Sequence, residues 1–517
     1  MTPTAQPAEP AEPTGPAGPR DPAAAARGER PRIRGNDHGV LAPPALGEWE
    51  PRLTVTVVVP AYNGQDALDL TLAGLAAQSY PAHLTEVVVV DDGSSPPIRI
   101  PEIAPENTRL IPSAPGGWGR SHAVRTGAAE AGGEVIVWID NDTLAHREHL
   151  EAQLRWHHLA DYLVVLGTRR VVDHKPGDLT PAAAYEAVAR GAADTLYDEE
   201  TSRPNGWIDA VREATDELRA AGPSVGTTLV GSTASVHRDL LRAAGDSDPG
   251  MILGEDTELG YRLSQAGAVF VPEPEARSWH LGAPTIEREQ GGLLRLIRPH
   301  LTHRVPTMRL ARRRRRQWLV PYVDVVVEVA DATAEDVRAT VDPVLDGTLP
   351  DVRVTLVGPW ERLTDGRRSV FGDPLAELRL VRDEYAHEGR VVFAAEVPET
   401  SFPAPFRLRC VPGWRPAPDG LAALVREADT DGLGIVELTG PDGEYGARLE
   451  RTAAVRRALL LAGPGEELDA VVADVSGVLR TDDTRWGGTD ARTDEFSVDS
   501  LLAMLEEQGL RPPPRAS

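Results

Sequence analysis

The sequence predicts an α/β protein made of two successive domains, and three observations support this prediction. Val-rich runs at Leu53–Pro60 and Glu86–Val90 have the apolar continuity of strands that are buried on both faces. An amphipathic stretch at Gln65–Gln78 lies between them, so the order is strand, helix, strand, as in a right-handed parallel unit. The same order recurs at Val323–Gly358, in a chain of 517 residues that is long enough for two or three domains.

The rest of the first domain continues the alternation of helix and strand patterns. Apolar spacing and Val/Ile content predict helices over Ser121–Ala131, His146–Ala160, Pro181–Glu199, Trp207–Ala220 and Asp256–Gly267, and extended segments over Glu134–Asp140 and Ala268–Glu273. These elements predict a Rossmann-like, mostly parallel sheet with helices packed on it.

Composition divides the chain into five parts. Residues 1–50 are rich in Pro and Ala and bury too little apolar surface to order, so we expect them to be disordered. We predict a first α/β domain at 51–285, a helical basic linker at 286–320, a second α/β domain at 321–480, and a tail at 481–517 with a short helix near 500–508.

Charge and cysteine content exclude several classes of protein. The 79 acidic and 54 basic residues give a net charge of -25, which disfavours nucleic-acid binding because phosphates attract the opposite sign. The single cysteine, Cys410, excludes a disulfide framework. Apolar runs fall short of the ~20 residues that span a bilayer, and the N-terminus lacks the apolar core of a secretory signal. We therefore expect a cytoplasmic protein.

Polar residues follow three predicted strands of the first domain. Pro60–Asn63 closes the first strand, Asp91 and Asp92 close the second, and Asp140 and Asp142 close the third. Ligands of open α/β sheets bind outside the carboxyl ends of the strands. Carboxylates gathered at that edge repel one another unless a cation is present, and their oxygens suit Mg²⁺ or Mn²⁺.

These motifs together resemble family 2 glycosyltransferases, which have the GT-A fold. The resemblance covers roughly Leu53 to Gly282 and rests on VTVVVPAYNGQDALDLTLAGLAAQSYP, EVVVVDDGS, GWGRSHAVRTGAAEAGGEVIVWIDND, LGEDTELGYRLSQAG and SWHLG, in that order. Each motif alone is weak, but five in the family's order form a specific pattern.

The resemblance implies a role for each motif residue. Pro60, Ala61, Tyr62 and Asp92 would form the base pocket, with Asp92 accepting a hydrogen bond from the uracil imide, and Arg125 would lie near the leaving diphosphate or that pocket. Taken singly, Asp92 is equally compatible with a turn residue, and Arg125 with a surface arginine on a helix. Asp91 is interpreted as structural.

The metal and the catalytic base are assigned by the same resemblance. Asp142 would bind Mn²⁺ or Mg²⁺ directly, His280 would be a further ligand, and Asp140 would hold the ribose or the metal through water. Asp256 would take the proton of the acceptor, and Glu255 would orient the acceptor or the base. Each residue also has an alternative interpretation without a ligand. Asp140 and Asp142 would lie in an exposed acidic loop, and His280 would be a packed side chain. Glu255 and Asp256 would stabilise the start of a helix.

The implied function is inverting, metal-dependent transfer of a sugar from a nucleotide-diphosphate donor, by family habit UDP, to a glycan, lipid-linked or other glycoconjugate acceptor. The rival from another class is a non-catalytic glycan-binding or scaffold protein that retains the fold. A sugar nucleotidyltransferase is a second rival, but PAYNGQDA is not the Gly-rich phosphate loop it requires.

The second domain resembles a degenerate copy of the first. Gly358–Trp360 stands where the first domain has Asp91–Gly93, and Thr439–Pro441 is interpreted as the counterpart of Asp140–Asp142. We therefore expect neither a metal nor a nucleotide site there, but a role in acceptor placement, in dimerisation or in stability. The arginine run at Arg312–Arg316 is interpreted either as a basic linker or as a peripheral contact with anionic lipid or a phosphate-bearing acceptor.

Overall fold

The computed structural model describes residues 30–284, 292–309, 312, 316–366, 369–440 and 443–487. The strands of the first domain are β1 (Val55–Ala61), β2 (Thr85–Asp91), β3 (Thr108–Pro112), β4 (Val135–Trp138), β5 (Thr143–Ala145), β6 (Leu163–Val172), β7 (Arg203–Pro204), β8 (Ala234–His237) and β9 (Val269–Leu281). Its helices are α1 (Gln65–Ala76), α2 (Arg120–Glu130), α3 (His149–His157), α4 (Pro181–Ala189), α5 (Gly206–Ala214), α6 (Arg238–Ala244) and α7 (Glu255–Gln265).

These strands form one sheet in the order β3-β2-β1-β4-β8-β6-β9-β5, with β7 paired to β6. The first four strands of that order are parallel, as expected for successive strand–helix–strand units. Beyond β4 the sheet is mixed, because β8 runs antiparallel to both β4 and β6, while β6 and β9 are parallel. The predicted α/β class is confirmed.

The helix α8 (Gly292–Arg304) leads into the second domain. The strands there are β10 (Val323–Glu328), β11 (Val352–Val357), β12 (Val391–Ala394), β13 (Phe406–Cys410), β14 (Leu433–Thr439), β15 (Tyr445–Arg451) and β16 (Gly477–Asp482). The helices are α9 (Ala334–Asp346), α10 (Ala376–Tyr385), α11 (Gly420–Thr430), α12 (Thr452–Leu461) and α13 (Leu468–Val475).

The second sheet repeats the topology of the first. Its order is β12-β11-β10-β13-β15-β14-β16, with parallel pairs on both sides of β10, antiparallel pairs on both sides of β15, and a parallel pair at β14 and β16. The first sheet has the same order and directions from β3 through β9. The predicted second α/β domain is therefore confirmed, and it is an internal structural repeat.

The strand order corrects one register assignment within the repeat. Thr439 is the last residue of β14, which occupies the place of β6, whereas the counterpart of β4 is β13. The segment equivalent to Asp140–Asp142 is therefore Val411–Gly413. The assignment was wrong because β13 has the sequence FRLRC, in which arginines alternate with apolar residues, so the more apolar β14 resembled β4 more closely.

The two domains share a continuous core. One cluster of buried apolar side chains includes Leu259 and Leu263 of α7 together with Val455 and Ala458 of α12. Arg457 lies in this interface and is 7 % exposed. It donates hydrogen bonds to the carbonyls of Gly267, Ala268, Ile33 and Gly35, which belong to the first domain and to the segment preceding it.

Residues 30–50 are ordered, which corrects the prediction of disorder through residue 50. Ile33 is fully buried in the shared core. The Asn36 amide exchanges hydrogen bonds with the backbone of Phe270, at 2.8 Å in both directions, while the amide of Gly35 donates to Val475 of the second domain at 2.9 Å. A few well-placed contacts hold the segment, although its average composition is that of a disordered chain. Residues 1–29 lie outside the described residues.

Other differences concern the length and position of elements. The helix predicted over Pro181–Glu199 ends at Ala189. Within the segment predicted as a helical basic linker, α8 is a helix, whereas Arg312 and Arg316 are not helical. Arg312 instead stacks 3.9 Å from the ring centre of Tyr322, and its contact with a membrane stays a prediction. Arg313–Arg315 and the predicted helix near 500–508 lie outside the described residues. Among the described helices, none combines the length and apolarity needed to cross a membrane.

Candidate active site

The topology gathers the predicted site residues at one edge of the first sheet. β1 and β4 are parallel and adjacent, so the segments that follow them emerge at the same edge. β5 and β9 are antiparallel with Thr143 opposite His280, and the amide of Leu281 donates to the carbonyl of Asp142 at 2.8 Å. His280, more than 130 positions along the chain from Asp142, is thus positioned beside it by strand pairing.

Asp140, Asp142 and His280 form a group of potential metal ligands. One ligand atom from each lies within 4.8 Å of the others. His280 is 4 % exposed, and its Nδ1 lies 3.0 Å from the carbonyl oxygen of Gly282. Since a carbonyl can only accept, Nδ1 carries the proton, and a neutral His280 then presents the lone pair of Nε2 to Asp142 Oδ1 at 3.5 Å.

This donor set fits a divalent cation. Two acceptor atoms that face each other at 3.5 Å repel unless a proton or a cation lies between them. Two carboxylates and one imidazole suit Mn²⁺, and carboxylate oxygens also suit Mg²⁺.

The two carboxylates of this group differ in their electrostatics. Burial raises the pKa of Asp142, and the nearby Asp140 charge adds to the rise, although His280 opposes it. Burial also acts to raise the pKa of Asp140, but the Arg120 guanidinium outweighs it, and the net pKa is lowered. The protein itself therefore stabilises the charged form of Asp140, whereas a bound cation would stabilise the charged form of Asp142.

Arg120 connects this group to the beginning of α7. Its Nε donates to Asp140 Oδ1 at 2.8 Å, and its Nη1 donates to Glu255 Oε1 at 3.1 Å and to Asp256 Oδ1 at 3.0 Å. Nη2 is buried and has no hydrogen-bond partner among the described residues. One guanidinium thus joins a strand-end carboxylate to both acids of the helix start.

Glu255 and Asp256 occupy the first turn of α7, where the unpaired amides of the helix favour acids. Asp256 Oδ2 also accepts from the amide of Gly231 at 2.9 Å, and a Cβ at position 231 would collide with Asp256 and Arg120. Glu255 is 7 % exposed, and burial raises its pKa to about 7, with Asp256 adding to the rise and Arg120 opposing it. The Asp256 side chain is one-third exposed, so it is the more accessible of the two acids.

The predicted base-pocket residues lie together at the ends of β1 and β2. Pro60 and Ala61 end β1 beside Val90 and Asp91, and the amide of Asp92 donates to the carbonyl of Ala61 at 2.9 Å. Tyr62 is 65 % exposed, which leaves its ring open to a ligand. Pro60 and Ala61 are buried, so Tyr62 and the half-buried Asp92 are the accessible members of this group.

The two acids after β2 have different environments. Asp91 accepts hydrogen bonds from the amides of Ser94 at 2.9 Å and Ile98 at 3.3 Å, as expected for a turn residue. Asp92 accepts from the Ser113 hydroxyl and from the amide of Gly119, both at 2.6 Å. Asp92 is thereby held beyond the end of β2, and its carboxylate oxygens retain lone pairs for a further donor.

Arg125 is not brought to the carboxylate cluster. Its side chain is exposed at the other side of α2, and its Nη1 donates to the carbonyl of Ser247 at 3.2 Å. Each helical residue rotates the side chain by about 100°, so Arg120, five positions earlier, points about 140° away. Arg120, to which the sequence analysis assigned no role, is therefore the arginine of α2 that reaches the cluster, whereas the place of Arg125 near the diphosphate or the base pocket stays a prediction. The Gly-rich GGWG that precedes Arg120 was the available signal, because it marks the start of a helix at the sheet edge.

Arg169 was also missed. It lies in β6 opposite Ser278 of β9, and its charge lowers the pKa of both Asp140 and Asp142, with its Nε buried and unpartnered among the described residues. The run LVVLGTRRVV that forms β6 is a readable strand pattern, but the sequence analysis did not assign it.

Comparison with known proteins agrees with the first domain's motifs. Residues 56–213 match the family model described as glycosyl transferase family 2. The pre-mycofactocin glycosyltransferase of Mycobacterium tuberculosis is 28% identical over 227 residues, which are 44% of this chain and 42% of that protein. The validoxylamine A glucosyltransferase of Streptomyces hygroscopicus subsp. limoneus is 28% identical over 265 residues, 49% of this chain and 56% of that protein. The chain thus spans about half the length of these relatives.

Among solved structures, a mannosyltransferase from Pyrobaculum calidifontis in complex with GDP-Man and Mn²⁺ aligns at 20% identity and a TM-score of 0.34, covering 51% of this chain and 66% of that one. Staphylococcus aureus TarS aligns at 18% identity and a TM-score of 0.31, covering 49% and 40%. These scores are too low to support a statement about function. By the match to the family model and by these relatives, the first domain is similar to glycosyl transferase family 2.

Proposed function

We propose that the first domain transfers a sugar from a nucleotide-diphosphate donor, UDP by preference, to a hydroxyl of a glycan, lipid-linked or other glycoconjugate acceptor, with inversion at the anomeric carbon. The observation that carries the proposal is the meeting of two groups at one sheet edge. Asp140, Asp142 and His280 lie within 4.8 Å of one another, and Arg120 joins Asp140 to Glu255 and Asp256.

The donor would bind across the ends of β1, β2 and β4. The exposed ring of Tyr62 offers a face for the base, and Asp92 offers an acceptor for an imide N–H. Asp140, Asp142 and His280 would hold Mn²⁺ or Mg²⁺, which when bound neutralises charge on the departing diphosphate. Arg169, whose charge already acts on both aspartates, adds positive potential at the same place.

The acceptor would approach from the side of α7. Its hydroxyl oxygen attacks the anomeric carbon, its proton passes to the Asp256 carboxylate, and the bond from that carbon to the phosphate oxygen breaks with its electron pair leaving on the nucleoside diphosphate. A single displacement from the opposite face inverts the configuration. Asp256 suits the role of base because its side chain is one-third exposed, whereas Glu255 is almost entirely enclosed.

Arg120 would be a positioning residue. It holds Asp256 through Oδ1, while the amide of Gly231 holds Oδ2, so the carboxylate is fixed from two directions before the acceptor arrives. Such fixed geometry lowers the barrier because little reorganisation is needed during the reaction.

A donor screen tests the proposal. The full chain is incubated with UDP-, GDP- and dTDP-linked hexoses and Mn²⁺, with and without simple glycoside acceptors, and the release of nucleotide is measured. We expect release from one nucleotide class, and we expect EDTA to abolish it. The matched control is Asp239→Asn, which changes a carboxylate that is 92% exposed on α6.

The rival interpretation predicts a different result. If no donor is bound or cleaved in the presence of Mn²⁺, while glycans bind the folded protein, the chain is a non-catalytic glycan-binding protein and the proposal is wrong. Inversion is tested separately by NMR of the first product formed, since a retained anomeric configuration contradicts a single displacement.

A further inference from the structure

A cavity lies between the two domains, away from the candidate active site. Its volume is about 170 Å³, and its walls come from the N-terminal segment, from the C-terminal end of α7, and from the second domain. Its polar wall includes Asn36, Gln265, Thr307, Arg451 and Arg457. A cavity of about 150 Å³ is enough to hold benzene, so this one accommodates a molecule of several non-hydrogen atoms.

Gln265 and Thr307 line the cavity, and each has one side-chain oxygen that is buried without a partner among the described residues. Gln265 is 3 % exposed, and its Oε1 is buried with no hydrogen-bond partner among the described residues. The Thr307 hydroxyl oxygen is buried and unpartnered in the same sense. A buried polar atom without a partner is destabilising, so a hydrogen-bonding ligand that these two side chains turn to meet would relieve that cost.

The charges around the cavity are unbalanced. Asp429 accepts from Arg451 Nη2 at 2.9 Å and from the Tyr322 hydroxyl at 3.2 Å, so these groups compensate one another. Arg457 donates only to backbone carbonyls, and no carboxylate lies within ion-pair distance of it among the described residues. Burial lowers its pKa to about 10, which still leaves it charged at neutral pH. A buried cation without an anion is costly, and an anionic ligand would offset that cost.

One wall of the cavity is apolar and aromatic. The Phe406 ring lies 5.8 Å from the ring of Tyr322, and the Arg451 guanidinium stacks 4.7 Å from its centre. This arrangement leaves Arg451 Nη1 without a hydrogen-bond partner among the described residues, while Nε and Nη2 donate to Leu433, Ala428 and Asp429. A further N–H is therefore available to an acceptor beside an apolar surface.

We propose that this interdomain cavity binds a small organic anion, a carboxylate or phosphate ester that also carries a hydrogen-bonding group for Gln265 and Thr307. The site is distinct from the proposed active site and does not depend on the proposed activity. Because its walls come from both domains, occupancy stabilises their interface.

Calorimetric titration and thermal unfolding of the full chain test this inference. The probes are malonate, glycerol 3-phosphate and inorganic phosphate, with glycerol as a neutral comparator at matched ionic strength. EDTA is present throughout, so that anion binding through a metal at Asp140, Asp142 and His280 is excluded. We expect saturable binding of at least one organic anion at one site per chain, a higher Tm, and no effect of glycerol.

Variants locate the site. Gln265→Leu and Thr307→Val remove the hydrogen-bonding atoms at nearly constant size, and Ala453→Leu reduces the cavity volume. We expect each to weaken binding at least tenfold, whereas the control Ala243→Leu, on the exposed face of α6, leaves it unchanged. Thr307→Val is the mildest change and serves if the others do not fold. Absence of saturable binding by every probe, or binding that is unchanged in the folded cavity variants, overturns the proposal.

Discussion

Arg120 and Asp256, which are 136 positions apart in sequence, meet at 3.0 Å, and the same guanidinium contacts Asp140 at 2.8 Å. The proposed base is thereby tied to the carboxylate beside the proposed metal ligand. Burial and the three surrounding carboxylates act on Arg120 in opposite directions, and the carboxylates prevail, so its pKa is raised. The arginine is permanently charged and acts as a fixed counter-ion for the whole cluster.

The first prediction concerns this arginine. Arg120→Met leaves Asp140, Glu255 and Asp256 without their shared cation. Because the Arg120 and Asp256 side chains are 24% and 33% exposed, breaking these pairs costs less than the ~3–5 kcal/mol of a buried pair and more than the ~1 kcal/mol of an exposed one. We expect the free energy of unfolding to fall by an amount of that order and nucleotide release to be lost. Urea unfolding and the donor assay measure the two effects.

Two further variants sharpen this test. Arg120→Lys keeps the charge but not the planar fork, so it should recover part of the stability and little of the activity. Arg125→Met lies on the same helix but changes an exposed side chain, and we expect a much smaller loss. If Arg125→Met is the more damaging of the two Met substitutions, the role given to Arg120 is wrong.

The second prediction concerns the metal ligands. Asp142→Ala and His280→Gln should each abolish Mn²⁺-dependent binding of UDP while the fold is kept, because each removes one member of a three-ligand group. Calorimetric titration of Mn²⁺ with UDP is the measurement, and circular dichroism checks the fold. Unchanged affinity in Asp142→Ala would remove this residue from the site. Asp239→Asn is again the control for loss of a carboxylate.

The third prediction separates the two acids of α7. Asp256→Asn preserves shape but cannot take a proton, so turnover should fall by about 10²–10⁴ while donor affinity barely changes. Glu255→Gln should reduce turnover less, because Glu255 is enclosed and would act by orienting its neighbour. Steady-state kinetics with a fixed acceptor measure both. Near-normal turnover in Asp256→Asn, with a severe loss in Glu255→Gln, would make Glu255 the base.

The fourth prediction concerns pH and stability. The pKa of Glu255 is raised to about 7, so the folded state binds this proton more tightly than the unfolded chain does. Its contribution to stability is complete below its unfolded pKa and is lost as pH rises from about 4.5 to about 7, an effect on the order of 3 kcal/mol.

Comparison with Glu255→Gln isolates this contribution, since other groups also titrate in the same range. Unfolding free energies of both proteins are measured in urea between pH 5 and pH 8 with EDTA present. We expect the wild type to lose stability relative to the variant as pH rises. Parallel pH profiles for the two proteins would contradict the raised pKa.

How far the sequence predicted the site depends on where each residue lies. Asp92, Asp140 and Asp142 directly follow buried strands, so apolar runs and the parallel order were enough to place them at one edge. The position of His280 came from the family resemblance, and the pairing of β5 with β9 gives its physical reason. Choosing between Arg120 and Arg125 requires knowing where α2 begins and which of its faces is turned toward the sheet edge. A helical pattern in the sequence places the start of a helix only to within one or two residues.

Long-range contacts account for the rest. Ile33 and Asn36 order the N-terminal segment through partners in both domains, which no local average of composition detects. The register error in the second domain has a similar origin, because strand order within a sheet is set by pairing that the apolar pattern does not encode.

The last prediction is that each chain has a single nucleotide site, in the first domain. The second sheet repeats the topology, but Val411–Gly413 replaces the segment that carries Asp140 and Asp142, and Gly358–Trp360 replaces Asp91–Gly93. These segments offer no carboxylate to a cation. Asp469 is the second residue of α13, as Asp256 is the second residue of α7. Both of its carboxylate oxygens accept hydrogen bonds from Arg448, at 2.9 and 2.6 Å. Titration of UDP with Mn²⁺ should therefore give one site per chain in the wild type and none in Asp142→Ala. Two sites in the wild type, or one site remaining in the variant, would show that the second domain still binds nucleotide.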